Sequence, residues 1–206
     1  MARGKLITIE GIDGAGKTTL AAGLHDELTA RGQNVRVLRE PGGVRAAERV
    51  RELVKDPAAR IGPRAEALLY AAARAQLVDE AITPLLATGT LVLLDRFVDS
   101  SLAYQGAGRG LGIEAVREIN SFATGGLSPD RTLLLRLPPA EGRARSRDRA
   151  TLPDRLEGET DEFFARVAAA YDQLAAAEPE RIGVVDASQG GDRVLADALA
   201  AIADLF

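Results

Sequence analysis

Five short apolar runs punctuate the chain, at residues 6–10, 35–39, 91–95, 132–137 and 182–186, with longer stretches of helical spacing between them. The runs are only five or six residues long and lack internal Pro and Gly, apart from Gly183. They therefore predict buried strands rather than helix fragments. The intervening periodicity predicts helices over 17–31, 44–55, 64–87, 113–123, 139–149, 159–177 and 192–205, with Pro84 kinking or dividing the third. Strands that alternate with helices pair in parallel through right-handed crossovers, so the pattern implies a three-layer α/β/α sandwich on a five-stranded parallel sheet. Such sheets bind ligands beyond the carboxyl ends of their strands, and the chemistry is expected there.

Composition narrows the classes. The 206 residues are 46% hydrophobic and 27% charged, the balance of a folded domain, and no linker or internal repeat divides them. One domain over 1–206 is expected, with the alanine-rich stretches 165–177 and 196–203 read as helices. The chain has no cysteine, which excludes disulfides, thiolate metal sites and cysteine nucleophiles. His25, the sole histidine, falls in a predicted helix and reads as an ordinary surface residue. No signal-like segment precedes the first strand and no run could span a bilayer, so a cytoplasmic location without a membrane partner is expected. A net charge of −4 argues against a nucleic-acid partner. Any anion site must be local.

One such site is legible. Directly after the first strand and before a helical pattern comes Gly11-Ile12-Asp13-Gly14-Ala15-Gly16-Lys17-Thr18, which satisfies G-x-x-x-x-G-K-[ST] and is followed by Thr19. Glycines let backbone N–H groups turn inward around phosphate oxygens, and the following helix offers its positive end. Lys17 is placed to reach the terminal phosphates of a nucleotide, and the Thr18 hydroxyl to ligate Mg²⁺. This motif serves switch GTPases, motors and small-molecule kinases alike. The N-K-x-D element of guanine-selective switches is missing, since neither Asn34 nor Asn120 is followed by Lys.

Further segments sit after the other strands in a specific order. They are Arg39-Glu40-Pro41-Gly42-Gly43, then Tyr70 to Gln76 on the third predicted helix, Asp95-Arg96-Phe97, and Ser100-Ser101-Leu102-Ala103-Tyr104-Gln105-Gly106. With the phosphate loop they closely resemble the thymidylate kinase family from Leu6 to the carboxyl terminus. The resemblance implies a P-loop kinase domain that transfers the γ-phosphoryl of ATP to dTMP with Mg²⁺. It implies an ATP site over residues 11–19, and Asp13 beside the acceptor's sugar and phosphate, where it could bind the 3′-hydroxyl or help organise Mg²⁺. Asp95 would position Mg²⁺ with Thr18, and Arg96 would clamp the acceptor phosphate. Tyr70 would stack on thymine, where the family more often has Phe, and Arg74 one helical turn on would bond a base carbonyl. Arg39, Ser101, Tyr104 and Gln105 would line the acceptor pocket, with Tyr104 under the deoxyribose disfavouring a 2′-hydroxyl. The glycine-rich 106–112 reads as a flexible loop over the acceptor.

Arg143, Arg145, Arg147 and Arg149 alternate with other residues ahead of Arg155. The resemblance implies a lid at about 143–155. In this family an arginine for the migrating phosphoryl comes either from the phosphate loop or from the lid, and the loop position here is Gly14. Arg149 is the favoured residue, with Arg145 and Arg155 in support. Asp186 to Gln189 matches the loop that borders adenine, whereas Arg136 departs from the family pattern. The family is generally homodimeric, and the apolar faces at 64–87 and 113–123 are compatible with that. Rival readings are a kinase for another acceptor, a nucleotide-dependent switch or assembly ATPase, and a non-catalytic relic of the loop.

Overall fold

The computed structural model describes residues 3–147, 155–156 and 158–206. Strands β1 (Leu6–Glu10), β2 (Val35–Arg39), β3 (Leu91–Asp95), β4 (Arg131–Arg136) and β5 (Ile182–Asp186) form one sheet in the order β2-β3-β1-β4-β5. Every pairing is parallel. β4 runs one residue ahead of its apolar stretch, because its ladder to β1 already pairs Ile7 with Arg131. The helices are α1 (Lys17–Ala30), α2 (Arg45–Lys55), α3 (Pro63–Leu77), α4 (Thr83–Ala87), α5 (Val98–Ser101), α6 (Ile113–Thr124), α7 (Pro139–Arg147), α8 (Asp161–Ala177) and α9 (Gly191–Ala200). The long helix expected over 64–87 is divided, with a π-helical turn Val78–Ile82 joining α3 to α4. Pro84 lies in the first turn of α4, directly after that π-helical turn.

Side chains alternate across the strands with period two and feed two cores. On one face Leu6, Val92 and Leu94 pack with Leu77, Val78, Ile82 and Leu86 from the α3–α4 segment. On the other, Ile7, Ile9, Leu91 and Leu93 pack in the cluster that holds Leu20 and Leu24 of α1, Phe163 and Val167 of α8 and Ala198 of α9. This is the α/β/α sandwich. Among the described residues no helix is long and apolar enough to cross a membrane.

Of the segment 106–112 read as a flexible glycine loop, the first three residues are helical. α5 continues into a π-helix Leu102–Gly108 in which Leu102 to Gly106 and Gly108 are buried. A Cβ on Gly106 would stand 3.1 Å from the Ile113 Cα, and one on Gly108 2.7 Å from the Phe163 ring. These glycines serve close packing under α6 and α8, not mobility. π-Helical turns recur at functional sites, and this one carries Tyr104 and Gln105.

The register puts the exits of three strands together. Asp95 at the end of β3 pairs with Ile9 of β1 on one side and with Arg39 of β2 on the other. The phosphate loop, the Glu40-Pro41 turn and Arg96 therefore leave the sheet side by side.

Candidate active site

A cavity of about 370 Å³ opens at these strand ends, walled by the loop after β1, the turns after β2 and β3, α3 and the π-helix. Lys17 lies at its floor, 7% exposed. Its ammonium donates to the carbonyls of Gly11 (3.1 Å) and Ile12 (2.9 Å), which leaves the third N–H direction for a ligand. Burial, then the neighbouring Arg96, lowers its pKa to about 8 despite Asp13 and Asp95. The Thr18 hydroxyl donates to Asp95 Oδ2 at 3.1 Å, and both residues line the cavity. Two hard oxygens at a phosphate cradle suit Mg²⁺, which takes one or two protein oxygens together with substrate phosphates. Among the described residues no group of three or more His, Cys, Asp and Glu forms an all-protein cage.

Arg96 is the only non-glycine residue with positive φ among those described, at 70°. Left-handed backbone in a bulky residue costs about 1–3 kcal/mol and persists only where its surroundings impose it. They do so here. The Arg96 amide donates to Ile9 O (3.0 Å) and the next amide, Phe97, to the buried Glu10 carboxylate (2.7 Å). Glu10 also accepts from the Ser100 hydroxyl (2.6 Å) and the Tyr171 hydroxyl (2.9 Å). Burial, then Asp99, pushes the Glu10 pKa up to about 7, against its hydrogen bonds and Arg96. So fixed, the guanidinium bonds Asp13 (2.6 Å) and Gly11 O (3.1 Å) and lies 5.1 Å over the Tyr104 ring. Burial opposes ionisation of Asp13, but Arg96 and then Lys17 outweigh it and hold the carboxyl at about 2. Tyr104 donates to the other Asp13 oxygen at 3.3 Å.

The end of the cavity expected to take the base is more constrained than the sequence suggests. Tyr70, Arg74, Ser101, Tyr104 and Gln105 all line the cavity. Arg74, however, is 1% exposed and its five N–H groups are all engaged. Nε and Nη2 bond Glu40 (2.8 and 2.5 Å), Nη2 also bonds Phe97 O (2.8 Å), and Nη1 bonds Ser101 (3.0 Å) and Asn120. Arg74, expected as a donor to a base carbonyl, here turns its donors to these protein partners and builds the wall. Breaking a buried pair of this kind costs about 3–5 kcal/mol, so the guanidinium stays where Glu40 holds it. Arg39 differs, because its bond to Glu48 (3.0 Å) is half exposed and such pairs are worth about 0–1 kcal/mol. It can turn to a ligand at little cost. Glu48 also accepts the Gly43 N–H (2.8 Å) and so shapes the turn after β2.

Gly14 explains why the phosphate loop carries no arginine. A Cβ there would lie 2.1 Å from Gly142 O of α7, at a φ of +81°. Reciprocally, a Cβ on Gly142 would lie 2.6 Å from Asp13 O. Loop and helix meet backbone to backbone, and the contact seats α7 over the cradle. Arg145 lines the cavity and donates to Ala187 O (3.0 Å), in the loop expected beside adenine. Arg143 instead pairs with Asp161 and covers the Phe164 ring at 5.5 Å. Arg155, the other supporting candidate, bonds buried Glu66 (2.7 Å) and Val54 O (3.1 Å) and is not part of the cavity wall. Arg149, the favoured lid arginine, lies outside the described residues. Arg136 pairs with Asp172 at 2.8 Å on the surface. His25 likewise meets Asp26 at the surface.

Gly16 and Thr19 line the cavity, while Gly11, Ile12 and Ala15 form the buried back of the loop. Glu10, Glu48 and Glu66 were given no role from the sequence, and Glu40 only as part of the Arg39-Glu40-Pro41 segment. Glu10 and Glu66 work through partners distant along the chain, and no short motif marks them.

The family profile described as thymidylate kinase matches residues 9–198. The chain is 50% identical over 204 residues to a thymidylate kinase of Deinococcus radiodurans, covering 99% of this chain and 98% of that protein. It is 48% identical over 210 residues to one from Lactobacillus delbrueckii subsp. bulgaricus, covering 99% and 98%. It is 51% identical over 204 residues to one from Oenococcus oeni, covering 97% and 95%. With the loop, the strained arginine and the walled cavity in the places such a reaction requires, the chain belongs to the thymidylate kinase family.

Proposed function

We propose that the protein transfers the γ-phosphoryl of ATP to the 5′-phosphate of dTMP by direct in-line displacement, giving dTDP and ADP. The observation that carries this reading is the 2.6 Å contact between Arg96 and Asp13. It ties the clamp for an acceptor phosphate to the loop that cradles the donor, so the two anions meet in one cavity. The acceptor oxygen is already anionic, and no strong base is needed. Catalysis rests on alignment and on charge placed where it develops. Lys17 and the loop amides hold the donor phosphates, and Arg96, with Arg39 beside it, holds the acceptor. Tyr70 lies against the base and Tyr104 against the sugar, with Asp13 oriented by Arg96 and Tyr104. Thr18 and Asp95 would hold Mg²⁺, which supplies positive charge to the phosphate oxygens. Arg149 would bring a guanidinium to the migrating group. The reaction belongs to the cytoplasmic nucleotide pool.

A coupled assay with MgATP and dTMP, dUMP, dCMP and dGMP in parallel tests the reading. ADP should appear with dTMP in strict proportion to dTDP. Hydrolysis of ATP that no acceptor diverts would refute it.

We also propose a homodimer built on α3 and α6. Phe122 on α6 is 93% exposed and Leu68 on α3 is 56% exposed, and the two helices pack together. A phenylalanine so bare on a helix pair marks a contact surface. Light scattering should give twice the chain mass, and Phe122→Glu should halve it. A wild-type monomer at micromolar concentration would refute the dimer.

A further inference from the structure

Glu66 takes no part in the transfer described above, yet it holds a residue that faces the acceptor. It sits in the first turn of α3 with nothing exposed. Three side chains from two distant segments converge on it. Gln105 Nε2 donates to Oε1 at 2.7 Å, Arg109 Nε donates to both oxygens at 3.2 Å, and Arg155 Nη1 lies 2.7 Å from Oε2. A carboxylate oxygen offers only lone pairs, so each neighbour must turn a donor toward it.

For Gln105 this settles the sense of the amide. Its two ends have the same size and differ in that one accepts and the other donates, so neighbours decide the orientation. With the NH₂ end on Glu66, the carbonyl oxygen is the end left for the cavity that Gln105 lines beside Tyr70, Arg74 and Ser101. Arg74, next to it, has no N–H to spare. Thymine carries an N–H at ring position 3, and cytosine carries a lone pair there. A fixed acceptor pairs with the first and repels the second.

We propose that Glu66 is a positioning residue for base choice: by gripping the Gln105 NH₂ it presents a carbonyl oxygen to the acceptor base, and so selects the imide edge of thymine over cytosine. The inference rests on the reading of this cavity as the dTMP site. A site that holds a polar partner in place rejects a ligand lacking the matching group strongly, because buried groups are then left unpaired.

The test measures kcat/KM for dTMP and for dCMP at saturating MgATP in wild type, Glu66→Gln and Glu66→Ala. Wild type should prefer dTMP by more than about 100-fold. In Glu66→Gln the new amide can donate or accept, Gln105 can turn over, and the preference should shrink by about tenfold or more. A purely structural role would lower both acceptors by one factor and leave their ratio intact, and that result overturns the proposal. Should the variants fail to fold, wild type still decides through its affinity for dTMP methylated at ring nitrogen 3. Binding about tenfold weaker than dTMP supports the proposal, and equal affinity overturns it. A wild type inert toward both acceptors would refute the site reading itself, and the proposal with it.

Discussion

Replacing Lys17 with Met is expected to lower kcat by about 10²–10³-fold while the protein stays folded, the range seen when one preorganised charge or donor is removed from a transition state. The size follows from where the ammonium sits. It is almost wholly buried, and two carbonyls of its own loop fix its direction. In a water-poor cleft a fixed charge acts on developing phosphate charge with little screening, and no reorganisation is needed as the phosphoryl group moves. The same burial leaves a signature. Its pKa of about 8 means that rising pH removes the positive charge from the free enzyme. kcat/KM for ATP, which reports the free enzyme, should therefore fall above about pH 8. kcat reports the bound complex, where phosphates favour the charged form, so its alkaline limb should lie higher. Lys17→Arg keeps a charge at every accessible pH and should lack the limb even if its rate is poor. A limb at the same pH in that variant would show that another group titrates.

Much of this architecture was readable along the chain, and the reason is burial. β1, β3 and most of β4 lie inside the sheet with both faces covered, so they appear as short, mostly apolar runs that little else in a soluble domain imitates. The phosphate loop was equally legible, because its glycines and Lys-Thr pair answer to local geometry. What escaped is what depends on distance. Glu10 gathers partners 87 to 161 residues away, and Glu66 gathers them from the π-helix and from beyond α7. Gly106 and Gly108 read as part of a flexible loop and proved to be packing residues, since nothing local distinguishes a glycine that moves from one pressed against Ile113 or Phe163. Arg74 is the most instructive. The family resemblance implied a place beside the base, one helical turn from Tyr70, and both residues line the cavity. Only the fold reveals that Glu40, Ser101, Asn120 and Phe97 already occupy its donors.

Arg149→Ala should be the most damaging single change outside the cradle, with kcat reduced by about 10³-fold and ATP affinity by no more than about threefold. An arginine donated to a migrating phosphoryl group contributes about 10³–10⁵ to turnover, because the charge it meets exists mainly in the transition state. A residue that touched ground-state ATP equally would move affinity as much as rate. The phosphate loop cannot supply this guanidinium. The Gly14 position is filled by Gly142 O at 2.1 Å from where a Cβ would stand, so a loop arginine would have to lift α7 from its seat. Three lid arginines have other work: Arg143 with Asp161, Arg145 with Ala187 O, and Arg155 with Glu66. Of these only Arg145 lines the cavity. Arg145→Ala therefore serves as the comparison, and should weaken ATP binding along with turnover by loosening the loop at Ala187. Rapid-quench measurement of the transfer step, beside equilibrium binding of ATP, separates the two effects. Unchanged turnover in Arg149→Ala, or a loss matched by Kd for ATP, would hand the role to another residue.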